Sequence, residues 1–436
     1  MIVLYEDEQV ADLYPVTIGK PAYTISCGSF RLLDVAADLG AAFGRRVHAL
    51  VRPHLREFRQ AEPVPAPSAG RTESTVFINA RLVPSMPVRE TLTKVIAAGR
   101  PGILSVSDEF RPGRETAVAV ATRGVAGGEP EVAAAIVPAE AGLPPEDATA
   151  KELAAWWPKL RLPRLDAPRL PLFDYPHDII RHHMLGLGAS LNHRLSGGRF
   201  REIADGVFAA AGAQLGQHVV TNTSQGPILL DERATVGPLC YLSGPVYLGP
   251  QARVIEQAAL KDGVALGHTS KVGGEVEGSV IEPYTNKQHH GFLGHSYLGS
   301  WVNLGAGTCN SDLKNTYGLV NMEYHGRKVA TGMQFVGAIV GDYAKTAINT
   351  GIFTGKTIGA CSMVYGFVTT NVPSFTNYAR LFGQVTEATV DVMVATQARM
   401  FARRNVEQRP CDIQLLHDMH ELTRHERQIA GEPLSL

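Results

Sequence analysis

His289, His290 and His295 fall within one stretch, HHGFLGHSYLGSWVNLGAGT, which runs from His289 to Thr308. An imidazole with an unperturbed pKa of about 6.5 can take a proton from an amine at neutral pH. A ring held at a rigid groove can do so while a second substrate is held beside it. A second group of residues is cationic. Arg253 and Lys271 are 18 residues apart, and each stands just before an aliphatic residue. With Lys287 and Lys314 they are candidates for a phosphate cradle. A third group lies in the first half of the chain. There Lys20, Arg31, Asn79 and Arg81 are candidate phosphate or base contacts, and Asp108 and Asp178 are candidate Mg²⁺ ligands.

The scaffold for the histidines is written in a six-residue period. Leu230, Val236, Leu242, Leu248, Val254, Leu260, Leu266 and Val272 are all aliphatic, each six residues after the last. Gly237, Gly249, Gly267 and Gly273 follow four of them and are read as the residues that let the chain bend at corners. Neither a helix nor a flat strand has this period. A parallel β-helix does: each hexad forms one short side of a three-sided coil, its aliphatic residue pointing inward. Arg253 and Lys271 are then one full coil apart and stack on one outer face. The phase slips between Val272 and Val280, resumes through Phe292, Leu298 and Leu304, and returns at Val340, Ile352, Ile358 and Val364. Positions 310, 316, 328 and 334 are Asn, Thr, Lys and Gln, so residues 310–334 read as a loop thrown out from the coil.

The remainder has other periods. MIVLY, RVHALV, STVFINA, GILSV and TAVAVAT read as buried strands, with helical patterns at 30–43 and 88–98 between them. This alternation predicts an α/β domain with a largely parallel sheet, which binds ligands at the carboxyl ends of its strands. Proline-rich residues 138–176 read as a linker with a short helix near 151–157. Beyond residue 373 the pattern turns helical, with amphipathic stretches at about 376–403 and 411–429 that cap the coil. The expected layout is an α/β domain over 1–137, a linker over 138–206, the β-helix over 207–372 and a helical cap over 373–436.

Together the hexads and the segment NKQHHGFLGHSYLGSWVNLGAGTCNSDLKN (286–315) resemble left-handed β-helix acyltransferases. More closely they resemble the divergent bacterial branch of the bifunctional enzymes that make UDP-N-acetylglucosamine. The resemblance implies a Rossmann-like nucleotidyltransferase domain followed by a left-handed parallel β-helix. It implies N-acetyl transfer from acetyl-CoA to an amino-sugar 1-phosphate such as glucosamine-1-phosphate, coupled to nucleotidyl transfer from an NTP with Mg²⁺. Aligned without gaps on Val-Asn-Leu-Gly-Ala-Gly-Thr, His289 falls on the family's catalytic base. His290 and His295 are secondary candidates, and His295 stands where the family has an acidic residue. Asn303 matches a contact to the acceptor sugar, Asn310 another such contact, and Ala306 a contact to coenzyme A. Phe292 replaces a tyrosine. Glu277 stands where the family has a phosphate-binding lysine, so the cation must come from elsewhere or the acceptor differs. The family's assembly implies a homotrimer. Two other readings stay open: a β-helix metalloenzyme sharing zinc through His290 and His295, and a non-catalytic scaffold that binds a nucleotide sugar.

Composition narrows the partners. The 436 residues carry a formal net charge of −1, with 44% hydrophobic and 19% charged residues, so no basic field attracts nucleic acid or anionic lipid. Five scattered cysteines without a CxxC pair point to reduced thiols rather than a disulfide framework. No apolar run approaches the roughly 20 residues that span a bilayer, and the acidic start MIVLYEDEQV does not resemble a signal peptide. A cytoplasmic enzyme acting on small molecules is the expectation.

Overall fold

The structure, a computed structural model, describes residues 1–61, 74–107, 131–145 and 147–429. The chain divides into two compact units. One comprises Met1–Leu13, Lys20–Ile25 and Phe30–Tyr175, the other Tyr14–Gly19, Ser26–Ser29 and Pro176–Leu436.

The first unit is built on a five-stranded sheet of β1 (Ile2–Tyr5), β2 (Val47–Leu50), β3 (Ser74–Asn79), β4 (Gly102–Ser105) and β5 (Val132–Pro138), in the order β2-β1-β3-β5-β4. β1 pairs parallel to both β2 and β3, and only β5 runs against its neighbours. The strands are uniformly apolar because helices cover the sheet. α1 (Leu32–Ala42) buries Leu32, Val35, Ala36 and Leu39. α2 (Arg56–Ala61) and α3 (Met86–Ala98) follow, α3 ending at Gly99 in the left-handed region. α4 (Ala150–Trp156) starts with a Thr149–Glu152 capping box. The expected strand TAVAVAT lies outside the described residues, and the fifth strand is VAAAIVP. Residues up to Tyr175 belong to this unit, and bridges Leu82–Leu172, Ile103–Arg164 and Val106–Leu170 tie the proline-rich segment to it.

The second unit is a parallel β-solenoid with three faces. One face runs from Val207–Ala209 through Val246–Leu248 and Tyr297–Leu298 to Lys356–Ile358. A second contains Arg253–Val254, Lys271–Val272 and Asn286–Lys287, and a third contains Ala259–Lys261, Glu275–Glu277 and Phe292–Gly294. The hexad aliphatics from Leu230 to Val272 all point inward and form one continuous core. α5 (His177–Ser196) sets Leu187 and Leu191 against Leu229, Tyr247 and Ala265 of the first face.

The glycines act differently from expectation. Gly237, Gly249, Gly267 and Gly273 are absent from the left-handed region, which the corners instead fill with Arg233, Gln251, Thr269, Tyr284, Trp301, Tyr343 and Cys361. A Cβ on Gly249 would lie 2.6 Å from the carbonyl oxygen of Leu266, and one on Gly273 would lie 2.1 Å from that of Gln288. These glycines let successive coils approach at rung spacing; they are not the bends. The phase slip is also explained. Arg253 to Lys271 is a coil of 18 residues, but Lys271 to Asn286 takes 15, because the corners at Gly273–Gly274 and Gly278 are shortened. Leu293, rather than Phe292, then points inward.

Asn310 stays in the coil as the rung partner of Ile352; beyond Ser311 the chain leaves it and forms an antiparallel hairpin, Asn321–Tyr324 with Arg327–Ala330. The expected helix from 376 begins later. Thr376–Ala379 and Gln384–Glu387 make a hairpin around Gly383, which has φ +71°; the β-branched and aromatic residues there suit strands. α6 (Val390–Ala402), α7 (Pro410–Leu422) and α8 (Arg424–Ile429) complete the unit.

Candidate functional site

His289 sits on an exposed corner between the second and third faces. The turn is held from inside by Lys287. That side chain is 2% exposed and takes the inward position of its rung, level with Val272 below. Its ammonium donates to the carbonyls of Gly273 (2.8 Å), His289 (2.9 Å) and Gly291 (2.6 Å). Burial lowers its pKa to about 8. Lys287 is therefore not part of an outer anion cradle, as its sequence suggested. All three of its donors are committed to backbone, and it fixes the turn that presents His289.

The next turn up carries Ala306. Gly307 donates its amide to the carbonyl of His290 at 3.0 Å, and Ala306 accepts from the amide of Asn349 at 2.7 Å. The turns of His289, Ala306 and Asn349 thus stack one on another along a single corner. Asn310 is turned inward and is 5% exposed. Its amide accepts from Gly294 N at 2.9 Å and donates to Gly294 O at 3.0 Å, completing a rung in place of an aliphatic residue. A sugar contact through that side chain does not fit this placement. Asn303 faces outward and is exposed on the second face.

The expected stacking of Arg253 on Lys271 is present, since they are direct register partners. The column continues through Asn286, Asn303 and Lys345. Two residues just beyond α6 join it. Arg404 donates to Asn286 at 2.8 Å, and Lys271 has its pKa lowered by burial, then by the charges of Arg404, Arg253 and Arg403. No carboxylate among the described residues forms an ion pair with Arg253, Lys271 or Arg403, so this face carries unneutralised positive charge. Lys314 lies apart, in the inserted loop, and donates to Leu319 O at 2.5 Å. Arg403 and Arg404 gave no sequence signal, because more than 100 residues separate them from the rungs they join.

His295 occupies a different corner, between the third and first faces, with φ +40°. Its Nδ1 is 2.8 Å from an Asp312 oxygen, and its ring stacks on Phe335 at 5.2 Å. Phe292 lies on the adjoining third face, and its ring would be 2.5 Å from a Cβ on Gly294. Glu277 is on that face too, level with Lys261. His290 and His295 occupy separate corners, so within one chain they do not meet at a metal. Among the described residues no group of three or more His, Cys, Asp or Glu could hold one.

In the first unit a cavity of about 530 Å³ opens at the carboxyl ends of β1 and β3. Tyr5, Asp7, Asn79, Glu131, Trp157 and Arg161 are among its lining. β1 joins leftward to β2, and the chain then crosses to β3 on the other side, so the crevice lies at the switch point of the sheet. Asn79 donates to Asp7 at 2.7 Å. Arg81, fully buried, reaches Asp7 (2.7 Å), Glu131 (2.6 Å) and Asp174 (3.1 Å). Burial alone would lower its pKa, but Asp7 and the other two carboxylates raise it above the usual guanidinium value. Arg81 is thus a buried organiser of carboxylates and not an open phosphate contact. Arg31 is exposed and binds Asp34 at the start of α1, and Lys20 is nearly buried, with Arg52 donating to its carbonyl. Asp108 lies outside the described residues. Asp178 lies in the second unit on α5, where it pairs with Arg181 at 2.6 Å.

No helix among the described residues is long and apolar enough to cross a membrane. Residues 2–194 match the sugar nucleotidyl transferase family. The bifunctional sugar-1-phosphate nucleotidylyltransferase/acetyltransferase of Sulfurisphaera tokodaii is 30% identical over 143 residues, covering 32% of this chain and 36% of that one. The bifunctional protein GlmU of Methanococcus vannielii is 30% identical over 118 residues, 27% of each chain. The chain thus spans about a third or less of the length of these relatives. Among solved structures, the UDP-N-acetylglucosamine acyltransferase of Francisella novicida is similar at a TM-score of 0.29 and 13% identity, covering 54% of this chain and 79% of that one. The chain is thus similar over residues 2–194 to sugar nucleotidyl transferases and, over part of its length, to bifunctional sugar-1-phosphate nucleotidylyltransferase/acetyltransferase proteins.

Proposed function

We propose that the second unit transfers an acetyl group from acetyl-CoA to the amine of an amino-sugar 1-phosphate, with His289 as general base. The observation that carries this reading is the stack of turns on one exposed corner, in which the turn of His289 and His290 lies against that of Ala306 and Gly307 through the bond from Gly307 N to the His290 carbonyl. In the proposed step His289 takes the proton of the substrate ammonium, and the freed amine attacks the thioester carbon. The Ala306 amide receives the developing oxyanion, and collapse expels the thiolate, which is protonated. Asn303 orients the sugar. Arg253 and Lys271, with Arg403 and Arg404, supply the cation that Glu277 cannot.

The first unit, of the sugar nucleotidyl transferase family, is proposed to join the acetylated sugar phosphate to a nucleotide at its switch-point crevice. Asp7 and Glu131 are part-exposed oxygen donors of the kind magnesium prefers, and they would hold the ion. Bound there, it would neutralise triphosphate charge, which matters because the segment after β1 offers Glu6, Asp7 and Glu8 instead of glycine amides. Arg161, at the rim, is a further phosphate contact.

A homotrimer fits an apolar surface beside the His289 corner. Val220, Leu239, Tyr241, Ile348 and Phe367 are exposed on the third face or the corner leading to it, and a closed assembly would cover them. The direct test is coenzyme A release with acetyl-CoA over a panel of amino-sugar phosphates, glucosamine-1-phosphate and galactosamine-1-phosphate first. Release that depends on the amine supports the reading, and no release with any member of the panel contradicts it.

A further inference from the structure

A cavity of about 390 Å³ lies at the last coils of the solenoid. It opens on the first face, away from the His289 corner, and nothing in the acetyl-transfer scheme uses it. Lys356 and Arg380 both line it, and Arg380 donates to Thr370 at 3.1 Å. Asn371 joins its walls, accepting from Thr357 N at 2.9 Å and donating to the carbonyl of Glu323 at 2.8 Å in the inserted hairpin. Tyr378 also lines it; its ring is buried in the solenoid core and its hydroxyl is 3.2 Å from that of Thr370. One group stands out: the buried hydroxyl of Thr357 has no hydrogen-bond partner among the described residues. An orphaned buried hydroxyl destabilises a fold. Its place in the wall of a cavity points to a ligand that completes it.

The chemistry of the lining selects the ligand. Two permanent cations suit a dianionic phosphoryl group. Hydroxyls, a side-chain amide and the carboxylates of Glu323 and Glu426 suit the hydroxyls of a sugar ring. The volume is of the size that holds a single small molecule. We propose that this cavity binds a phosphorylated monosaccharide, as a site separate from the acetyl-transfer corner and independent of that assignment.

Glucose 6-phosphate is a clean probe, because it has neither the amine nor the 1-phosphate that the proposed reactions need. Isothermal titration of the full chain should show saturable binding. The Lys356→Ala/Arg380→Ala double variant should weaken it about tenfold or more, and glucose or inorganic phosphate alone should bind about tenfold more weakly. His289→Ala should leave it unchanged. Thr357→Val separates binding from folding: it removes the orphaned hydroxyl at constant shape, so the melting temperature should hold or rise while affinity falls several-fold. Absence of saturable binding at millimolar probe, undiminished binding by the double variant, or unchanged affinity in Thr357→Val overturns the proposal.

Discussion

Lys287 and Asn310 interrupt the hexads, and both are turned inward. From the sequence, Lys287 reads as part of an anion cradle, and the family resemblance implies that Asn310 contacts the acceptor sugar. In the fold each replaces an inward aliphatic and satisfies backbone groups at a tightened coil. What decides inward from outward is the register, and the 15-residue coil shifts it. Lys287→Met keeps the length of the side chain but leaves three carbonyls without their donor. Each buried unsatisfied acceptor costs about 1–3 kcal/mol, partly offset by the apolar replacement. We expect a loss of roughly 2–4 kcal/mol in denaturant unfolding. Acetyl transfer should fall mainly in kcat, because the turn presenting His289 loosens while the outer binding groups remain. Unchanged stability would show that the ammonium does not hold that turn.

At the scale of elements, α5 carries His177, His182 and His183, each with its pKa lowered to about 4, first by burial. His183 is fully buried, its ring between Gly28 N at 3.1 Å and Gly263 O at 2.9 Å. His177 bonds the hydroxyl of Tyr324 at 3.0 Å. These rings stay neutral in the fold while unfolded histidines protonate below about pH 6.5. The unfolded state therefore binds more protons as the pH falls from 6.5 towards 4, and stability present above 6.5 is lost across that window. The loss is on the order of 3 kcal/mol for each fully buried ring. Unfolding midpoints of the second unit measured at pH 7.5, 6 and 4.5 should fall steeply over the acid half. His183→Gln should flatten that slope even if it lowers stability at neutral pH. A midpoint independent of pH down to 4.5 would mean that these rings protonate within the fold.

For the whole molecule, the six-residue period is enough to specify the solenoid, because inward aliphatics at constant spacing admit few other folds. The strand pattern likewise located β1 to β4 of the first unit's sheet, but not β5. Three features were not legible. The roles of the glycines depend on contacts between coils, the slip after Val272 does not say which corners are shortened, and Arg403 and Arg404 come from beyond the solenoid. The pairing of His295 with Asp312 joins a coil to an inserted loop, and only the fold shows it. The exposed apolar side chains of the third face and its corner also matter at this scale. Light scattering at micromolar concentration should give three times the 46.9 kDa chain. Ile348→Asp/Phe367→Asp should shift it to monomer and remove acetyl transfer together. A monomeric, active wild type would contradict the trimer.

The most direct measurement is the rate of coenzyme A release from acetyl-CoA and an amino-sugar phosphate by His289→Ala, set beside wild type and His295→Ala. Loss of a general base lowers rate by about 10²–10⁴. His289→Ala should fall by that factor with its assembly and melting temperature intact, and His295→Ala should fall by less. Full activity in His289→Ala, with loss confined to His295→Ala, would move the chemistry to the corner that His295 shares with Asp312 and contradict the account.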